Sequence, residues 1–329
     1  MNEAIDTREL FVLDGSDVLV RGTYHKVYDD NSDAQPNLAA GDRLGVVFLN
    51  STSPTRAANG DAAIYLAESF AKCGYPCFRL DLPGFGDSEG DHPEDLLGFI
   101  CRGGYASIAS AKVEELVARY NLSGVVIAGH CAGSVSALFA AATSRECRGL
   151  VLIGPFFHLT QPIGLSKIRK ELKLWALQSR LGKCFSNVYE FLNELPLVPR
   201  GRGIPRNANL PLLRCWKKLA STGMPILFLK GPDRKTSSSK PRAAGEFDYL
   251  NYLLRAAGRR SQIVVKVTDG ASNAFANRQG RAAVRQHTER WLNNYFPLIK
   301  HHESVEKTSS SERDETRRHH KFHESYLNE

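Results

Sequence analysis

Val125-Val126-Ile127-Ala128-Gly129-His130-Cys131-Ala132-Gly133-Ser134 is the stretch whose reading decides the fold. An apolar, β-branched run reads as a buried strand. It meets Gly-x-Cys-x-Gly, and Val135 to Ala142 then reads as a helix of small residues. Strand, sharp turn, reactive side chain and helix make the layout of a nucleophile elbow, with Cys131 where serine usually sits. Gly129 and Gly133 let strand and helix approach without Cβ clashes in a strained turn. The helix start offers free N–H groups and partial positive charge, which favours an anion at the sulfur. The same pentapeptide also fits a buried cysteine in a small-residue turn. On these residues alone the two readings are even.

Working outward, other apolar runs repeat the strand pattern. Phe11–Ser16 reads as a strand entering a turn, and Val18–Val27 as its partner. Leu44–Asn50 is a buried strand ending in the polar run Ser51-Thr52-Ser53-Pro54-Thr55. A helix follows, with Ile64, Leu66, Phe70 and Ala71 at helical spacing. Cys77–Leu82 is the next strand, and it runs into the glycine-rich Pro83-Gly84-Phe85-Gly86-Asp87-Ser88-Glu89-Gly90. Residues 105–120 read as a helix, Gly149–Gly154 as a strand, Pro225–Gly231 as another. Glu246–Arg255 reads as a helix, Ile263–Val267 as the last strand and Arg281–Tyr295 as the closing helix. Strands alternating with helices predict an α/β fold with a mostly parallel central sheet covered on both faces. The alternation breaks between Leu165 and Thr222, where amphipathic stretches at Leu165–Leu181, Asn187–Leu195 and Leu212–Leu219 flank a Pro/Gly/Arg-rich loop. The chain therefore divides into core (1–160), basic helical cap or lid (161–222), core again (223–298) and a low-complexity tail (299–329) that holds half of the histidines and reads as disordered.

At 329 residues the chain is long enough for one large domain with an insertion. Its N-terminus lacks a basic-then-apolar signal, and its longest apolar stretch is broken by His130 and two glycines, so no membrane span is expected. Seven cysteines without metal-type spacing point to a reduced, cytoplasmic setting, and no metal or cofactor is expected. The formal charge of +8 is uneven. Between Leu165 and Arg242 stand 17 Lys and Arg against four acids, while the rest of the chain carries 26 against 31. Basic and aromatic residues do not interleave as in nucleic-acid-binding segments, so no nucleic acid is expected. The basic block suits an anionic small molecule, a phosphopantetheine-type carrier, or water alone.

These residues resemble the α/β-hydrolase superfamily, specifically its serine-aminopeptidase/thioesterase-like branch with a helical cap. The resemblance covers roughly residues 40–160 and 220–296. Asp81-Leu82-Pro83-Gly84-Phe85-Gly86-Asp87-Ser88, the Gly129–Gly133 elbow, Gly231-Pro232-Asp233 and Ala271-Ser272-Asn273-Ala274-Phe275 carry it. A cysteine in the elbow is similar to the hydrolases that sit beside bacterial exopolysaccharide and natural-product genes, and to dienelactone-hydrolase-like and polyester-synthase-like proteins. The resemblance implies that Cys131 is the nucleophile and the Ala132 N–H one oxyanion donor. It draws the second donor from Ser51 or Thr52, after the Leu44–Asn50 strand, and makes Asp233 the acid. The final loop normally supplies a histidine, and Asn273 stands there instead.

That substitution changes the expected chemistry. A thiol with a pKa of about 8.5 is already a few per cent thiolate near neutrality and depends less on a base than a serine does. Water needs a base to resolve an acyl-enzyme, and the Asn273 amide does not titrate. An amine or thiol acceptor needs less help, which moves weight from hydrolysis to acyl transfer from a thioester or activated ester in biosynthetic metabolism. The acyl donor would be a small molecule, with a coenzyme A ester or acidic acyl carrier protein at the basic cap. Two alternatives stay open. One is an esterase or thioesterase in which His158, after the Gly149–Gly154 strand, replaces the base. The other is a catalytically impaired binding protein. His130 is expected to pack structurally, His92 to be exposed in its loop and His287 to lie on the surface or in the core.

Overall fold

The computed structural model describes residues 7–15, 18–27, 43–50, 55–159, 204–205, 207–231, 247–268 and 278–298. Eight strands form one sheet: β1 (Arg8–Leu13), β2 (Val20–His25), β3 (Leu44–Leu49), β4 (Cys77–Leu80), β5 (Gly124–His130), β6 (Cys147–Ile153), β7 (Pro225–Lys230) and β8 (Gln262–Val267). Their order is β1-β2-β4-β3-β5-β6-β7-β8. Only β2 runs against the others: both of its pairings are antiparallel, and every other pairing is parallel. The α/β fold expected from the alternating pattern is the one observed.

The central strands β3 and β5 are buried almost end to end, as strands covered on both faces must be. Alternate residues serve opposite layers. Val125 and Ile127 join a core with α3 (Ala106–Arg119), α4 (Ala132–Thr143), α5 (Leu210–Ser221) and α6 (Tyr249–Ala257). Val126 and Ala128 face α1 (Ala62–Lys72) and α7 (Arg278–Tyr295). The period-two direction of strand side chains produces this division.

Three local departures from the sequence reading have physical causes. β1 begins at Arg8 rather than Phe11, because its polar first residues are held by the ladder to β2 and not by burial. The short α2 (Leu96–Cys101) carries too few residues for a periodic signal, and Asp95 caps it by accepting the Gly98 N–H at 3.1 Å. The helix at Leu210–Ser221, which the sequence places at the end of the cap, packs on the core through Leu212, Leu213, Trp216 and Leu219. The other cap residues, the Leu165–Leu181 and Asn187–Leu195 stretches and the 299–329 tail lie outside the described residues. Among the described residues no helix is long and apolar enough to cross a membrane.

Candidate active site

β5 delivers its last residue, His130, directly into the turn, and α4 begins at Ala132. Cys131 stands between them at φ 53°, ψ −116°, a conformation that costs a residue with a Cβ and survives only where neighbours enforce it. The enforcement is visible in the backbone. The Cys131 N–H donates to the Ile153 carbonyl at 2.8 Å, and the Ser134 N–H donates to the Cys131 carbonyl at 3.0 Å. The Ser134 hydroxyl accepts the Ile153 N–H at 3.0 Å and lies 2.6 Å from the Gly129 carbonyl. A Cβ at Gly129 would overlap the Gly133 carbonyl, so the close approach inferred from the sequence is real at that glycine.

The Cys131 side chain is exposed, which removes the reading of it as a buried structural thiol. Cys77, by contrast, is fully buried, and burial pushes its thiol well above the ordinary value. Ala132 is buried and opens α4, where a first-turn N–H has no intrahelical acceptor. Among the described residues the Ala132 N–H has no hydrogen-bond acceptor, so the turn presents one sulfur and one available donor.

The histidines divide. His130 is largely buried, and desolvation pulls its imidazole down to about 4, which makes it a weak proton acceptor near neutrality. His158 is exposed, beyond the end of β6, bridged in antiparallel fashion to Ala208 and with its ring 6.3 Å from that of Tyr249. β5 and β6 are parallel neighbours, so Cys131 and His158 share one edge of the sheet. His92 is exposed, packed edge-on against Phe85 at 4.5 Å. His287 is half-buried on α7, and burial, then Lys266 and Arg290, lower its pKa.

β3, β7 and β8 run parallel to β5 and end on the same edge, at Leu49, Lys230 and Val267. Ser51, Thr52, Asp233 and Asn273, which follow those strands in the chain, lie outside the described residues. Among the described residues no group of His, Cys, Asp and Glu could hold a metal ion.

Sequence reasoning missed a second cluster at this edge. Asp81, just beyond β4, is fully buried, and one of its carboxylate oxygens pairs with Arg56. The same guanidinium reaches Asp87 at 2.8 Å and donates through Nε to Thr23 Oγ1 at 2.8 Å. Burial alone would pull Arg56 down, but its hydrogen bonds to Asp87 and Asp81 hold its pKa above the ordinary value. Behind it Arg79 donates through Nε to His25 Nε2 at 2.8 Å. Burial, then the Arg79 charge, pulls His25 down to about 3. The available signal was an aspartate closing a buried strand, which demands a cationic partner.

Residues 53–190 match the sequence pattern of the alpha/beta hydrolase fold family. No curated protein matches the sequence significantly. Among solved structures, the Pyrococcus furiosus esterase Pf2001 superposes with a TM-score of 0.52 at 15% identity, covering 88% of this chain and 91% of that one. A highly thermostable carboxyl esterase from Bacillus coagulans, bound to glycerol, gives 0.52 at 14% identity, covering 88% and 99%. DcsB, in complex with its substrate analogue, gives 0.52 at 15% identity, covering 88% and 99%. At these identities the likeness is one of fold, and it agrees with the strand order and the elbow. The chain has the α/β-hydrolase fold, and residues 53–190 of it match that family's sequence pattern.

Proposed function

We propose that this chain is an acyl-transferring enzyme that works through a thioester on Cys131. One observation carries the reading: an exposed thiol held at positive φ on the tip of a strand–turn–helix, beside the free N–H of Ala132. In the first step the Cys131 thiolate attacks the carbonyl carbon of a thioester or activated ester. The carbon–Sγ bond forms, the bond to the donor's sulfur or oxygen breaks, and the leaving group takes up the proton that Cys131 lost. The Ala132 N–H, with a second donor expected from Ser51 or Thr52, stabilises the oxyanion between these events. In the second step an acceptor amine or thiol attacks the acyl-cysteine, its bond to the carbonyl carbon forms, the carbon–Sγ bond breaks, and the departing Sγ takes up the proton that the acceptor loses. Asn273 at the usual histidine position favours such acceptors over water. Asp233 is proposed as the acid of the site.

The exposed Arg214 and Lys217 on α5 belong to the basic segment, whereas Lys218 donates to the Ala142 carbonyl at 2.7 Å, at the end of α4 away from Cys131. Arg214 and Lys217 support an anionic acyl donor, a coenzyme A ester or an acyl carrier protein.

The second reading is ester or thioester hydrolysis. The superposed Pyrococcus and Bacillus proteins are esterases by name, and His158 on the Cys131 edge of the sheet is its candidate base.

Acetyl-coenzyme A and 4-nitrophenyl acetate, followed by intact mass, test the proposal. The expected result is an acetyl adduct that is absent from Cys131→Ala and discharged faster by an added amine or thiol than by water. No adduct from either donor overturns it. Rapid discharge by water that is lost in His158→Ala favours hydrolysis, and Asn273→His is expected to speed discharge by water under either reading.

A further inference from the structure

We infer that the edge of the sheet opposite Cys131 carries a second binding site, for a phosphate monoester with a flat apolar body, such as a mononucleotide. The inference is independent of the reading of Cys131. β5, β6, β7 and β8 are parallel and begin on one edge, at Gly124, Cys147, Pro225 and Gln262. The 7 residues of β5 separate that edge from Cys131, roughly 20 Å at about 3.3 Å per residue.

A hollow of about 530 Å³ opens there, between the end of α4 and the end of α5. Leu219, Cys147 and Met224 form its apolar side, with Cys147 Sγ 3.8 Å from Met224 Sδ. Arg145, Arg148 and Lys218 line it with positive charge. The charge around the hollow is one-sided. The connecting stretches 143–148, 218–224 and 258–262 hold these three cations, Arg259 and Arg260 against Glu146 alone. Arg260 adjoins the hollow: a Cβ on Gly223, which lines it, would come 3.3 Å from the Arg260 carbonyl.

A structural role accounts for part of this. Lys218 donates to the Ala142 carbonyl at 2.7 Å and Arg148 to the Arg145 carbonyl at 3.0 Å, so both offset the negative end of α4. Arg145 has no such task. It is exposed, and its side chain makes no hydrogen bond or ion pair among the described residues. Cations gathered in this way repel one another, and an anion placed among them relieves the repulsion. Arg148 and Lys218 are already fixed by the bonds they make, so a ligand orders fewer side chains on arrival.

Size and surface choose among anions. The volume lies in the range of sites for drug-sized molecules, well beyond the needs of a bare phosphate. The two sulfurs make a polarisable wall that favours an aromatic ring. A phosphate at Arg145 and Lys218 and a ring against Met224 use both sides of the hollow.

Isothermal titration of the full chain with adenosine 5′-monophosphate, inorganic phosphate and adenosine tests the inference. The nucleotide is expected to bind about ten-fold tighter than either part, and more weakly as salt rises. Arg145→Gln breaks no contact among the described residues, so its melting temperature is expected to match wild type while the nucleotide binds about 10-fold more weakly. Arg145→Gln/Lys218→Gln is expected to lose about 100-fold. Met224 gives a local readout, because the only other methionine of the chain is Met1. Its oxidation to the sulfoxide by hydrogen peroxide, followed by peptide mass, is expected to slow about three-fold or more with the nucleotide bound. Cys131→Ala is expected to bind the nucleotide as wild type does. No binding of the nucleotide at millimolar concentration, equal binding by wild type and Arg145→Gln, or Met224 oxidation unchanged by the nucleotide overturns the inference. So does equal protection of Met224 by inorganic phosphate, which would make the hollow a simple anion pocket. Loss of binding in Cys131→Ala overturns it too, by placing the nucleotide at the other edge. The acylation of Cys131 is measured separately and stands or falls apart from these results.

Discussion

The elbow and the turn after β4 sit level on the same sheet edge and solve one problem by opposite means. At the elbow, strain is held by uncharged groups: the backbone bonds of Cys131 and Ser134, one buried hydroxyl, and a glycine with no room for a Cβ. Around Asp81 it is held by charges: Arg56, Asp87, Arg79 and, behind them, His25. Neutral steric restraint is insensitive to pH and intolerant of volume. Ionic restraint tolerates small changes of shape and depends on protonation and burial. The contrast suits the proposed chemistry, because a reactive thiol is best flanked by donors that do not themselves titrate.

Volume should have the largest effect, and it should act at the elbow. Gly129→Ala places a methyl against the Gly133 carbonyl and the Ser134 nitrogen, both backbone atoms at the start of α4. Neither can turn aside as a side chain can. We expect a loss of about 3 kcal/mol or more, beyond the usual cost of overpacking because the clash is with main chain. A urea titration of the purified variant measures it. A loss near 1 kcal/mol would show that the turn can relax, and the contrast with the charged region would then be one of degree.

Acid should act next, and on the other region. His25 accepts from Arg79 and stays neutral in the fold down to about pH 3, whereas in the unfolded chain it protonates near 6.5. Between those values the unfolded state binds more protons, so stability falls as pH falls. The slope from this residue is at most about 1.4 kcal/mol per pH unit. His130, pulled down to about 4, adds to the loss in the same direction over a narrower window. His25→Gln can still accept from Arg79 without titrating, so denaturation midpoints measured between pH 4 and 6.5 are expected to fall less steeply than in wild type. An unchanged slope would move the acid sensitivity elsewhere in the molecule.

This comparison also explains what was legible in the sequence. The sheet was readable because its central parallel strands are apolar throughout, and each run read from the sequence as a strand matches a strand among the described residues. The elbow was readable because Gly-x-Cys-x-Gly states its own steric requirement within five residues. The charged cluster was not, because Thr23, His25, Arg56, Arg79 and Asp81 are brought together by strand pairing across long sequence separations. Taken singly, such residues read as surface. Arg79 was read as part of a strand, but nothing local shows that its side chain is buried against a histidine two strand partners away. Of the expected site residues, Cys131, Ala132 and His158 fall at one sheet edge, while Ser51, Thr52, Asp233 and Asn273 stand as proposals.

Within the elbow a smaller effect is expected from Ser134→Ala. The hydroxyl ties Gly129, at the end of β5, to Ile153, at the end of β6. Its removal leaves the Ile153 N–H without this partner and costs about 1–2 kcal/mol. The cost is lower than at Gly129 because a hydrogen bond is lost without any atom being forced out of place. Because Ile153 also accepts the Cys131 N–H, the variant is expected to loosen the turn. Faster amide exchange at Cys131 in the variant is the measurement that reports it.

The smallest effect belongs to the exposed half of the charged cluster. Arg56 touches two carboxylates, but Asp81 is fully buried whereas the Asp87 side chain is 66% exposed. Water already solvates Asp87, so losing its pairing costs little Coulomb energy and frees a side chain. Exposed pairs measured elsewhere contribute well under 1 kcal/mol. Asp87→Ala is therefore expected to cost about 0.5 kcal/mol and to weaken further in its effect as salt rises. Asp81→Ala, by contrast, strands a buried guanidinium and should cost several times more. Urea midpoints for the two variants, taken at low and at high salt, make the comparison directly. Equal losses would mean that the cluster acts as a cooperative unit in which burial does not decide each carboxylate's share, and the ionic restraint at this edge would then be as intolerant of single changes as the elbow beside it.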